Sequence, residues 1–130
     1  MIHHMRYLGI DYGTKRVGVA ISDEAGEFAF PKGILEVKGA VEAIAQISTD
    51  EQVEAIIIGE SLASNGEENA LTSLVNAFRA KLALATGLPI FFEREGFSTV
   101  EAHRYQTAAG NRDDSAAAII LQRFLDKQKK

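Results

Sequence analysis

The sequence contains no cysteine, and no apolar run in it approaches the roughly 20 residues that a membrane-spanning helix needs. Without cysteine the chain has no disulfide, no thiolate zinc site and no cysteine nucleophile. The residues that follow Met1 also lack the apolar core of a signal peptide. These absences lead us to expect a cytoplasmic protein that works without a membrane partner.

The chain also lacks the basic balance that is common among nucleic-acid-binding proteins, since its formal net charge is −4. This does not exclude a nuclease, because such an enzyme clusters acids around a metal and needs cations along one groove only. A length of 130 residues with 46% hydrophobic residues predicts one domain with a proper core, residues 1–130, of which 1–5 form a loose extension.

Residues 8–23 predict the element around which the rest of the fold is arranged. Two short apolar runs, 8–10 and 17–21, flank a polar turn, and this pattern is typical of a β-hairpin. Asp11 ends the first strand, and Gly13 gives the turn its backbone freedom and leaves room for a ligand.

Lys15 and Arg16 place positive charge at the hairpin tip, close to Asp11. An acid beside an open glycine turn and two cations suits a metal or phosphate site. The alternative is that Asp11 serves only as a turn former.

The remaining pattern predicts an α/β protein. We expect one mixed sheet, with three antiparallel strands at the N-terminus followed by parallel strands, and with helices on both faces. Ser48 is expected to end the first helix, Leu74 to face the core and Lys127 to belong to a solvated chain end. The further strands are predicted at 28–37, 53–60 and 88–92, and the helices at 40–47, 68–86, 99–109 and from Asp113 onward.

Carboxylates fall where several of these elements begin or end. Because parallel strands present their carboxyl ends along one edge of a sheet, these side chains can converge. Oxygen-only ligands select hard cations, so Mg²⁺ or Mn²⁺ is the expected cofactor, and two such ions can drive phosphodiester hydrolysis. The alternative is that individual acids cap helices or lie in loops. The candidates are Asp11, Glu60, Glu93, Glu95, Asp113 and Asp114.

Three motifs together resemble the bacterial YqgF family, whose members are described as Holliday-junction-resolvase-like proteins and as pre-16S rRNA nucleases. The motifs are GIDYGTKRVGVA at residues 9–20, STVEA at 98–102 and AAAIILQ at 116–122. The resemblance extends over nearly the whole chain. It implies a ribonuclease H-like fold and metal-dependent cleavage of phosphodiesters.

Carried over by position, the resemblance implies that Asp11 is the first acid of the site. The last acid of the family lies nine residues before the glutamine of its third motif, and counting back from Gln122 gives Asp113. The adjacent Asp114 is about 100° further around the helix, so we expect it to cap the helix or to face water.

The resemblance leaves more than one residue of this chain as a match for the middle acid of the family's site. Without a gap, Glu95 takes the family's glutamate position three residues before Ser98, and Gly96 stands where the family has arginine. A two-residue shift would match Glu93 instead. Glu60, at a position where the family usually has leucine, is the rival from the fourth strand.

We expect Thr14, Lys15, Arg16 and Ser98 to contact nucleic acid. The favoured function is a metal-dependent nuclease that matures the 5′ end of pre-16S rRNA, acting as a monomer or weak homodimer. The alternatives are cleavage of Holliday junctions and a non-catalytic RNA-binding or ribosome-assembly module. An ATP-binding protein of the sugar-kinase type would need a second domain to enclose the nucleotide.

Overall fold

The computed structural model describes residues 5–60, 70–94 and 113–128, and for Glu60, Ala70, Leu71, Arg94, Asp113 and Asp114 it describes the backbone only. The strands are β1 (Arg6–Tyr12), β2 (Arg16–Ser22), β3 (Ala29–Glu36), β4 (Val53–Glu60) and β5 (Ile90–Arg94). The helices are α1 (Ala40–Asp50), α2 (Ala70–Thr86) and α3 (Asp113–Gln128). None of these helices is long and apolar enough to cross a membrane.

The strands form one mixed sheet in the order β3-β2-β1-β4-β5. β1 pairs antiparallel with β2, and β2 pairs antiparallel with β3. β4 is parallel to β1, and β5 is parallel to β4. The α/β class and the mixed, ribonuclease H-like sheet predicted from the sequence are therefore confirmed.

One face of the sheet packs against α1 and α2 and forms the larger core. Alternate residues of the central strands point to this face, as the period of two in a strand requires. The side chains that meet there are large and fully or almost fully buried. They include Leu8, Ile10, Val17, Val19, Ile44, Ile56, Ile58, Phe78 and Leu82.

The opposite face packs against α3 and contains smaller residues. A Cβ atom at Gly9 would lie 2.8 Å from Leu121 Cβ and 3.0 Å from the carbonyl oxygen of Ala117. Glycine at this position therefore lets α3 approach β1 closely. The second core is formed by Ala20, Ile57, Ala117, Ile120, Leu121 and Leu125.

The first helix is longer than the sequence predicts. Ser48 does not end α1, because the helix continues to Asp50 and Ser48 is buried within it. The hydroxyl of Thr49 donates to the carbonyl oxygen of Ala45 at 3.2 Å, so the polar residues are accommodated inside the last turn. Gln52, with a φ of 58°, then turns the chain toward β4.

Two further expectations need correction. Leu74 was expected to face the core, yet it is 45% exposed, while Phe78 and Leu82 on the same helix are buried. The fifth strand begins at Ile90 rather than at residue 88. The predicted helix at 99–109 lies outside the described residues, as do Glu95 and Ser98.

Candidate active site

Asp11 lies one residue before the end of β1, half buried and paired in register with Gly18 of β2. Gly9, two residues earlier, faces α3, so the alternation of the strand places Asp11 on the same face. The carboxylate therefore lies near the carboxyl end of a central strand, on the sheet face that α3 covers.

The hairpin tip is held in a tight turn beside this acid. The amide of Gly13 donates to the carbonyl oxygen of Arg16 at 2.9 Å, and a Cβ at Gly13 would lie 2.8 Å from the same oxygen. Thr14, Lys15 and Arg16 are exposed at the tip. The two predicted cations thus lie at the surface near Asp11, and their contact with phosphates stays a prediction.

Three neighbouring strands bring Asp11, Gly59 and Glu93 into one row. Ile10 pairs with Ile58, and Gly59 pairs with Glu93, so continuing the first register by one residue aligns all three. Adjacent strands are about 4.8 Å apart, which puts the backbones of Asp11 and Glu93 about 10 Å from each other. Gly59, between them, is buried and carries no side chain.

Glu93 is an internal ion-pair partner of α3. Its side chain is only 4% exposed, and its Oε2 atom accepts a hydrogen bond from Lys127 Nζ at 2.7 Å. Arg123 Nε lies 3.7 Å from the same oxygen. The carboxylate is thus neutralised by cations, as a buried charge requires.

This contact corrects the prediction for Lys127, and none of the sequence motifs indicates it. Lys127 was expected to belong to a solvated chain end, but it pairs with a buried acid 34 residues away in sequence. The spacing of Arg123 and Lys127, four residues apart on one helix face, was the available signal.

The other predicted acids have their backbone positions fixed or lie outside the described residues. Glu60 ends β4 and pairs in register with Arg94. Asp113 begins α3 one turn before Ala117, whose carbonyl oxygen lies over Gly9. Glu95 is outside the described part of the chain, so its place at the site stays a prediction.

Residues 5–60, 70–94 and 113–128 show no cluster of three or more histidine, cysteine, aspartate or glutamate side chains able to hold a metal. Among the predicted ligands, Asp11 and Glu93 have described side chains, and Glu93 is paired with Lys127. Asp11 is therefore the predicted ligand on which the described part of the site rests. A complete ligand set would need further acids, and Glu60, Glu95 and Asp113 stay the predicted ones. All of these are oxygen donors, which fits a hard divalent cation.

Comparison with solved structures defines the class of fold. RuvC of Thermus thermophilus, solved in complex with a Holliday junction substrate, aligns with a TM-score of 0.66 at 18% identity, covering 96% of each chain. The fowlpox virus Holliday junction resolvase in complex with junction DNA aligns with a TM-score of 0.55 at 12% identity, over 97% of this chain and 100% of that one. The chain therefore has the RuvC-like variant of the ribonuclease H-like fold.

Sequence comparison identifies the family. The family model RuvX, described as Holliday junction resolvase, matches residues 5–127, and the chain belongs to this family. A relative from Chlorobaculum tepidum named "Putative pre-16S rRNA nuclease" is 34% identical over 95% of this chain and 94% of its own length. A relative of the same name from Maridesulfovibrio salexigens is 38% identical, over 93% and 98%. The resemblance read from the motifs is confirmed, and the protein is a nuclease.

Proposed function

We propose that this nuclease cleaves phosphodiester bonds of pre-16S rRNA with the help of Mg²⁺ or Mn²⁺ held at the end of β1. The observation that carries the proposal is Asp11, a half-buried carboxylate one residue before the end of a central strand, on the sheet face that α3 covers. The names of the relatives supply the substrate. Because precursor rRNA is made in the bacterial cytoplasm, we expect the protein to act there.

The residues of the site have separate roles in this proposal. Asp11 would hold the metal together with Asp113 and with Glu95 or Glu60. A bound divalent ion would lower the pKa of a water and stabilise the leaving oxygen. Lys15 and Arg16, exposed at the hairpin tip, would bind the phosphates next to the scissile bond.

The test is cleavage of an end-labelled pre-16S rRNA fragment with Mg²⁺, with Mn²⁺ and with excess chelator. Asp11→Asn keeps the shape of the side chain and removes its charge. Losing a residue that merely supports a metal ligand costs about 10–100-fold, so losing Asp11 itself should lower cleavage by about a hundredfold or more. The melting temperature of the metal-free protein should change little.

The matched control is Asp50→Asn, since Asp50 is an exposed carboxylate at the end of α1, hydrogen-bonded to Gln46. It should cleave like the parent. Parent-level cleavage by Asp11→Asn, or cleavage that survives the chelator, would contradict the proposed metal site.

A second candidate substrate is a four-way DNA junction, which the description of the family favours. Running the same assay with a synthetic junction decides between the two. Faster cleavage of the junction than of the RNA at equal metal concentration would make branched DNA the substrate and leave the site unchanged.

A further inference from the structure

The ion pair between Glu93 and Lys127 joins the far end of α3 to the edge strand β5. Lys127 is 60% exposed while Glu93 is almost completely buried, so the lysine reaches inward to the acid. Phe124, one turn earlier on α3, stacks on Phe91 of β5 with a centroid distance of 5.8 Å. The C-terminal half of the helix is thus attached to the strand that leads directly to Glu95.

A second attachment holds the middle of α3 against β1. The missing side chain of Gly9 lets Leu121 and Ala117 lie directly on the strand, and added atoms at this position would collide with both. We take this close contact between backbone and helix as the pivot about which α3 tilts.

The geometry of a rigid helix relates the ion pair to Asp113. With 1.5 Å of rise per residue and a pivot midway between Ala117 and Leu121, Lys127 lies about 12 Å from the pivot and Asp113 about 9 Å on the other side. A shift of about 1 Å at Lys127 therefore moves the start of α3 by about 0.75 Å in the opposite direction. Functional constellations tolerate about 0.5 Å.

We propose that Glu93 is a positioning residue that, through Lys127, sets the tilt of α3 and so the distance between Asp113 and Asp11. The inference rests on the proposed metal site and extends it to a residue that would not touch the metal. It also assigns Glu93 a role opposed to that of a metal ligand. If Glu93 were a ligand, removing Lys127 should strengthen metal binding, because the lysine would no longer compete for the carboxylate. If Glu93 is a positioning residue, removing Lys127 should weaken metal binding.

The test uses five variants of the full chain. Lys127→Met keeps the apolar stem and removes the charge, and Glu93→Gln is nearly isosteric. The two changes combined remove both partners of the hydrogen-bonded ion pair, and such a double replacement is often neutral for stability. Arg123, 3.7 Å from the same oxygen of Glu93, loses this acid in Glu93→Gln and in the double variant alike. Lys127→Arg is the conservative variant, and Lys81→Met on α2 is the control for loss of an exposed lysine.

Each variant is titrated with MnCl₂ by calorimetry, melted without metal, and followed by amide hydrogen exchange of α3 without metal. Lys127→Met and Glu93→Gln should both weaken Mn²⁺ binding by about tenfold, the lower range for residues that support ligands. The double variant should melt near the parent temperature and still bind Mn²⁺ weakly, with faster exchange in α3. Lys127→Arg and Lys81→Met should behave like the parent.

Two results would overturn the inference. If Glu93→Gln abolishes Mn²⁺ binding while Lys127→Met strengthens it, Glu93 is a ligand. If the double variant regains both the melting temperature and the Mn²⁺ affinity of the parent, the pair contributes stability alone. The parent titration tests the proposed function separately, because a parent that binds no divalent ion refutes the metal site before any variant is compared.

Discussion

The two faces of the sheet are built in different ways. The face covered by α1 and α2 is a core of large apolar side chains such as Ile10, Ile56 and Phe78. The face covered by α3 has a smaller apolar core and adds to it a glycine contact and directional polar links. Gln122 accepts a hydrogen bond from the amide of Ala29 and donates one to the carbonyl oxygen of Glu27, each at 2.9 Å.

This difference separates stability from positioning. Apolar packing is non-directional, so it holds a fold together without fixing small rotations of a helix. Hydrogen bonds and ion pairs depend on distance and angle, and the face that carries Asp11 uses them. We therefore expect substitutions on the α1/α2 face to change mainly the free energy of unfolding, and those on the α3 face to change cleavage as well.

The largest effect on stability is expected for Ile56→Ala, since Ile56 is fully buried in the α1/α2 core. The lost contacts and the cavity should cost about 2–5 kcal/mol, measured by urea unfolding, while Ile56→Val should cost about 0.5–1.5 kcal/mol. Cleavage well below the melting temperature should be unchanged. A loss of cleavage without a loss of stability would break the proposed division between the faces.

Gly9→Ala should cost about 1–3 kcal/mol through overpacking, because the new Cβ would meet the backbone of α3 as well as Leu121. It should also reduce cleavage by more than the unfolded fraction accounts for, since α3 is displaced. Gly33→Ala is the matched control, as no other described atom lies within 4 Å of a Cβ built there. Equal cleavage by both variants would show that the approach of α3 does not affect the site.

Much of the fold, including the close approach of α3 to the sheet, could be predicted from local sequence. The alternation and β-branched residues of the strands gave the sheet, and the run of alanines at 116–118 predicted that α3 lies close to it. Glu60 was correctly expected to end a buried strand next to β1. These features depend on near neighbours in the chain, and periodicity detects them.

The partner of Glu93 could not be predicted in the same way. Its pairing with Lys127 depends on how far α3 tilts across the sheet, and this is a result of the whole packing arrangement. The length of α1 was missed because Ser48 and Thr49 favour helix ends in isolation, whereas tertiary contacts bury Ser48 and extend the helix. Glu95 as the middle acid stays a prediction.

The smallest effect is expected for Gln122→Ala. Its two hydrogen bonds to the β2–β3 connection are partly exposed, so their loss should cost about 1 kcal/mol. Gln46→Ala, which removes an exposed hydrogen bond to Asp50 on α1, is the control and should cost less. If hydrogen exchange at Ala29 is no faster in Gln122→Ala than in the parent, this link does not hold β3 to α3.

The outer border of the sheet is the edge strand β3, and it affects how readily copies of the protein associate at high concentration. Phe28 and Phe30 are more than half exposed there, and an exposed edge strand can recruit a strand from another copy. The pairing of β3 with β2 shifts by one residue here, so Lys32, between Pro31 and Gly33, forms a β-bulge. Pro31 has no amide hydrogen to donate. An incoming strand would therefore find the hydrogen-bonding pattern interrupted beside the aromatic residues. We therefore expect this interruption to disfavour aggregation along that border.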